Sequence, residues 1–231
     1  MIDTLTRRSF LAGAAAAAAT LTAACAGSSS DGSARINRAY DPAYFTADEW
    51  AFIVAAVDRL IPASEEGPGG IQSGVAEFID RQMESPYGYG AFAYMSGPFL
   101  TDLPPSLGYQ LRYTPREMYR SGIAAADAAA HRSYSARFSD LAIDRQDEFL
   151  RSLETGAITL EGPPAEAFFE QLLRNTKEGY FADPMYGGNR HMGAWKMIGF
   201  PGARADFTDW MDQQGRHYPY GPVSVNGSKD R

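Results

Sequence analysis

The box Thr46-Ala47-Asp48-Glu49 and its counterpart Thr114-Pro115-Arg116-Glu117 constrain this chain more than any other feature, because each announces an α-helix. In such a box the threonine hydroxyl accepts from the amide three residues on, and the glutamate reaches back to the threonine amide. Two donors orphaned at a helix start are satisfied together. Proline at the first helical position of the second box strengthens the signal. Behind the first box, Trp50, Ile53, Val54, Val57 and Ile61 recur at helical spacing on one face until Pro62 stops the helix. Phe45 with Trp50, and Tyr113 with Met118, are placed to staple the two starts.

Gly67-Pro68-Gly69-Gly70 makes a turn, and a second helix puts Ile71, Val75, Phe78, Ile79 and Met83 on one face, ending near Ser85-Pro86. Residues 86–113 are rich in Gly, Pro and Tyr and lose periodicity. This segment is too long for an ordinary connection and too aromatic for disorder, so an ordered functional or packing loop is expected. The helix behind the second box runs through an alanine-rich stretch to about Arg137, where small side chains allow close approach of a neighbouring helix. Further helices are expected from Leu141 to Glu154, closed by Gly156, and after Pro164, burying Phe168, Phe169, Leu172 and Leu173 and ending near Gly179. No segment alternates with period two for long enough to require a sheet. The expected fold is all-α, an irregular helical bundle with long Gly/Pro/aromatic-rich loops, and residues 41–231 form a single domain.

Charge and cysteine usage exclude several functions. The formal net charge is −7 and there are three lysines, a poor endowment for neutralising phosphates, so no nucleic-acid partner is expected. Cys25 is the single cysteine, which rules out intrachain disulfides, a Cys-x-x-Cys-His haem attachment and multi-cysteine metal sites.

The first 25 residues read as a twin-arginine export signal: Arg7 and Arg8 stand immediately before a short, alanine-rich, charge-free run. That run falls short of a comfortable membrane span of ~20 strongly apolar residues. Two cleavage readings compete. Thr22-Ala23-Ala24-Cys25 resembles a lipoprotein box, with the usual leucine one place early at Leu21, whereas Ala24-Cys25-Ala26 fits ordinary cleavage before Gly27. Residues 26–40 form a Gly/Ser-rich tether suited to a lipid-anchored domain, and a lone cysteine at that place favours lipidation at Cys25. The expected location is periplasmic and membrane-associated, by lipid or through partners. The twin-arginine pathway carries folded proteins, often with a cofactor already inserted, so an export signal on a chain without an evident cofactor site points to a partner that carries one.

Residues 179–202 hold the most distinctive pattern: Gly179-Tyr180-Phe181, Asp183-Pro184, Tyr186-Gly187-Gly188-Asn189, Trp195 and Gly199-Phe200-Pro201-Gly202. Together with Asp58-Arg59-Leu60-Ile61-Pro62 and Gly67-Pro68-Gly69, they resemble the gluconate 2-dehydrogenase subunit 3 family, over about residues 41–205. The resemblance implies a non-catalytic small subunit of a flavin-dependent sugar or sugar-acid dehydrogenase, an export escort and stabiliser for a large flavoprotein. It implies FAD in that partner and none in this chain, with a multihaem cytochrome c as a further partner. The family supplies no catalytic residues to carry over. From the residues themselves, Asp183-Pro184 starts a turn and Gly187-Gly188-Asn189 permits positive backbone dihedrals. Each aromatic here packs either on this chain's core or on a partner, and aromatics beside glycines are common interface material. Phe181, Asp183, Tyr186, Gly187, Gly188, Asn189 and Trp195 are therefore the candidate docking residues.

Other motifs carry little chemistry. Gly88-Tyr89-Gly90-Ala91-Phe92-Ala93 matches a dinucleotide fingerprint in letters, but it follows a helix end rather than a strand. His131, His191 and His217 lie far apart, and Asp144, Asp147 and Glu148 read as a solvated helix start. No catalytic, cofactor-binding or metal-binding residue is expected. An independent exported lipoprotein or binding module is the alternative, and a self-sufficient enzyme using carboxylates of the aromatic loop is a distant third.

Overall fold

The computed structural model describes residues 40–101 and 103–227. The leader, the tether up to residue 39, and with them Arg7, Arg8 and Cys25, lie outside the described residues. Among the described residues six α-helices follow in order: α1 (Ala47–Leu60), α2 (Val75–Met83), α3 (Pro115–Tyr134), α4 (Ile143–Glu154), α5 (Ala165–Phe181) and α6 (Gly193–Ile198). Among the described residues the only β feature is a single bridge between Gly202 and Val223. The fold is all-α, as the sequence predicts.

Both capping boxes form: Thr46 and Thr114 accept from the amides of Glu49 and Glu117, and each glutamate returns a bond to the threonine amide. The face of α1 that goes fully inside is Phe52, Ile53, Ala56 and Val57, with Trp50 and Val54 at its flank. The first staple takes another form. Phe45 sets its ring edge-on to Tyr119 at 5.5 Å, and Trp50 takes Tyr40 at 5.4 Å. The core is a run of aromatic rings: Phe52 lies 4.6 Å from Phe138 and 6.0 Å from Phe168, and Phe168 meets Tyr119 edge-on at 6.3 Å. Each such pair contributes ~0.5–1.5 kcal/mol beyond its area burial. The alanines of α3 lie against this core, with Ala125, Ala126, Ala129 and Ala130 all buried.

Four boundaries shift, each for a local reason. Residues 71–74 form a turn and α2 starts at Val75, because Gly74 stands in the left-handed region at φ 74°. Helix α3 ends at Tyr134, with Ser135 left-handed at φ 57°, short of Arg137. Helix α4 starts at Ile143, since Phe138–Asp140 makes a separate 3-10 turn that drives Phe138 into the core while Asp127 accepts its amide at 3.0 Å. Helix α5 continues through Gly179 to Phe181. Gly179 is there for close approach, not to end the helix: a Cβ at this position would stand 2.7 Å from Cδ1 of Phe78 on α2.

Two polar ties hold the frame. Arg59 of α1 donates to Asp147 of α4 at 2.7 Å and 3.3 Å. Asp80 of α2, fully buried, accepts from the Tyr40 hydroxyl (2.8 Å) and from the amides of Ala43 (2.8 Å), Tyr44 (3.0 Å) and Phe45 (3.1 Å). Burial, and then the Asp80 carboxylate, push the Tyr40 phenol up to about 12, so it remains a donor across the physiological range.

Candidate docking surface

The loop that follows α5 is built from contacts with its own ends. The Trp195 indole N–H donates to the Phe181 carbonyl at 2.8 Å, closing the last turn of α5. Asn189 clamps both sides: its Nδ2 donates to the Ala182 carbonyl and its Oδ1 accepts from the Ala194 amide, each at 3.0 Å. Asp183 starts the turn by accepting from the Met185 amide at 3.0 Å and ties in the tail by accepting from the Val225 amide at 2.7 Å. At Gly188 the backbone presses against α5 so closely that a Cβ would sit 2.1 Å from the Gly179 carbonyl oxygen. Gly187 makes the turn at φ 102°.

This loop also joins the two stretches that stand out in the sequence. The Tyr180 hydroxyl donates to the Pro68 carbonyl at 2.7 Å, and the Arg190 amide donates to the Ser73 carbonyl at 3.1 Å. The Arg190 guanidinium pairs with Glu77 of α2, a carboxylate nearly buried. Residues 67–74 and 180–197 thus form one interlocked unit. It carries backbone strain: Asn189, His191 and Met192 all take positive φ (44°, 57° and 52°). Left-handed geometry costs an ordinary side chain ~1–2 kcal/mol per residue, so the surrounding bonds over-determine it; strain of this kind concentrates at functional sites.

The candidate docking residues divide sharply. Asn189 is buried and Trp195 is only 6% exposed, while Gly187, Gly188 and Asp183 shape the backbone. Phe181 and Tyr186 face solvent, Tyr186 at 51%. Met185, Met197, Ile198 and Phe200 are exposed beside them in sequence; Phe200 stands in the distinctive pattern but outside the candidate docking set, and the sequence reading did not single out the other three. For Met197 and Ile198 the signal was available: Gly199 directly after an apolar run is a helix C-terminus, and it stands left-handed at φ 69° after the six-residue α6. Among the described residues no three His, Cys, Asp or Glu side chains gather as metal ligands would. The dinucleotide-like stretch at Gly88 is a turn after α2. The arrangement offers apolar side chains held out from a backbone that these bonds fix.

Residues 47–202 match the family described as gluconate 2-dehydrogenase subunit 3. The chain belongs to that family. The match spans both interlocked stretches and ends at Gly202, so the tail that pairs with Asp183 lies beyond it. The family's name implies a subunit of a multi-subunit gluconate dehydrogenase complex. Neither a search of curated proteins nor one of solved structures finds a match.

Proposed function

We propose that this chain is the non-catalytic small subunit of a flavin-dependent gluconate, or related sugar-acid, dehydrogenase. It folds onto a large FAD-carrying flavoprotein in the cytoplasm and lends it a twin-arginine signal. It then stabilises the flavoprotein at the periplasmic membrane face, with a lipid on Cys25 and a multihaem cytochrome c as electron acceptor of the complex. The observation that carries the docking role is the contrast within one loop: Asn189 and Trp195 are buried to fix the backbone, and the same backbone holds Phe181, Met185 and Tyr186 out in water. Apolar side chains on a rigid frame bind at low ordering cost, because the entropy was lost on folding.

Affinity purification of the tagged chain from native membranes tests this. The expected result is a co-purifying large polypeptide with a flavin absorbance spectrum and gluconate-oxidising activity. A chain recovered alone from membranes that retain that activity would overturn the subunit role.

A further inference from the structure

A second apolar surface lies away from the docking loop. In residues 89–109, Phe92 is 81% exposed, and Tyr89, Tyr94, Leu100, Leu107 and Tyr109 also face solvent. Part of it lines a cleft of about 410 Å³ along the middle of α5, which contributes Gln171 and Arg174. From residue 85 to residue 111 the sequence contains a single acidic or basic residue, Asp102, in a chain of net charge −7. An apolar, almost uncharged face on an acidic protein marks an interaction site.

Two of the three tyrosine hydroxyls on this face are occupied from within. Tyr94 donates to the Gly97 carbonyl at 2.9 Å and Tyr109 to the Tyr113 carbonyl at 2.6 Å. Their rings can therefore leave water without orphaning a donor, the main cost of burying a tyrosine. Arg174 is matched by Glu170 at 2.5 Å, so the rim carries no bare cation from that pair for an anionic ligand.

The direction from which the chain arrives names the occupant. The Arg116 guanidinium is sandwiched between the rings of Tyr44 and Tyr89, 4.4 Å from one and 4.3 Å from the other, so the segment leading from the N-terminus abuts one edge of this face. Cys25 precedes Tyr40 by 15 residues in the sequence, and a Gly/Ser-rich chain of that length spans roughly 20 Å. We propose that the face formed by residues 89–109 rests on the lipid bilayer, its aromatic and leucine side chains entering the headgroup region. This rests on the lipidation proposed above. Tyrosine and other amphipathic rings favour the membrane–water boundary, and a face whose own segment carries almost no charge meets neutral headgroups with little repulsion and no need of a basic patch. The docking loop begins at the far end of α5, at Phe181, so the flavoprotein and the bilayer engage different parts of that helix.

Tryptophan placed at residue 92 reads the contact directly. The mature full-length chain carrying Phe92→Trp is mixed with phosphatidylcholine vesicles containing brominated acyl chains, after intact-mass spectrometry establishes whether Cys25 is acylated. The control is Thr155→Trp, at the exposed end of α4. Strong quenching of the residue-92 reporter relative to the control is expected. Phe92→Glu, with an unchanged circular dichroism melt, should weaken vesicle partitioning of the unacylated Cys25→Ser chain roughly tenfold or more, the free energy of burying one Phe. An acylated chain that floats with vesicles while residue 92 stays unquenched would overturn the proposal and leave the lipid intact. A chain without acyl mass that is still quenched would remove the lipid and leave the face. Quiet vesicles together with loss of the flavoprotein from Phe92→Glu pull-downs would assign the face to the protein partner, against the proposal.

Discussion

Tyr186 and Trp195 belong to one loop and one motif, yet truncating them has opposite meanings. Trp195 is packed inside and bonded to the Phe181 carbonyl, so Trp195→Ala opens a cavity and frees the end of α5. That change should cost ~3–5 kcal/mol, on the order of 10 °C in melting temperature. Tyr186 is half in water, so Tyr186→Ala should leave the melt unchanged. If Tyr186 anchors the flavoprotein, its loss should weaken binding by ~2 kcal/mol, more than tenfold. Parallel melts and pull-downs of the two variants check both; normal binding by Tyr186→Ala would sink its role as an anchor. Gly188 allows no comparable probe, since any side chain there collides with the Gly179 carbonyl.

Helix α4 is held to α1 by a bond whose strength depends on pH. The Arg59 guanidinium, by hydrogen bond and charge, holds the Asp147 carboxyl below the usual carboxylate range of about 3.9. A carboxyl whose folded pKa is depressed stabilises the fold above its unfolded pKa, and the gain is lost as pH falls through the folded value. Asp147 is partly in water, so the contribution is discounted to ~0.2–1 kcal/mol. Asp147→Asn should lower the melting temperature slightly at pH 7, with the difference from the parent shrinking as acid protonates the folded carboxyl. A deficit that persists undiminished at low pH would point to lost packing instead. At this scale the sequence was most legible where the backbone dictates its own chemistry. Thr46 and Thr114 gave two helix starts to the residue, because a capping box is a local bond pattern. Ends governed by tertiary contact were less legible. Gly179 resembles a terminator in sequence and acts as a spacer against Phe78. Phe138 fills the core from a three-residue turn that has no period to detect. In this loop the aromatic positions were legible and their division between core and solvent was not, because an aromatic letter does not say which side of the backbone meets water.

On the proposed reading, a helical body travels behind an export leader that carries Arg7 and Arg8. Lysine at both residue 7 and residue 8 should keep the charge, leave the domain folded, and trap it in the cytoplasm; cell fractionation showing unchanged periplasmic yield would contradict the export role. If the flavoprotein travels with this chain, its periplasmic level should fall in the same strain. The polar knot at Asp80 bears on that journey. Four donors from residues 40–45 converge on one carboxylate of α2, and three are backbone amides. A machine hauling the protein by its front end therefore pulls first on α2 in the interior, not on the exposed start of α1. The bonds share the load like rivets in one plate, so the body yields as a unit or not at all. In optical-tweezer traces drawn from the N-terminus, Asp80→Ala should replace a single high-force rip with early peeling of the segment ahead of α1. Asp80 is thus where a pull on the N-terminal segment would enter the fold.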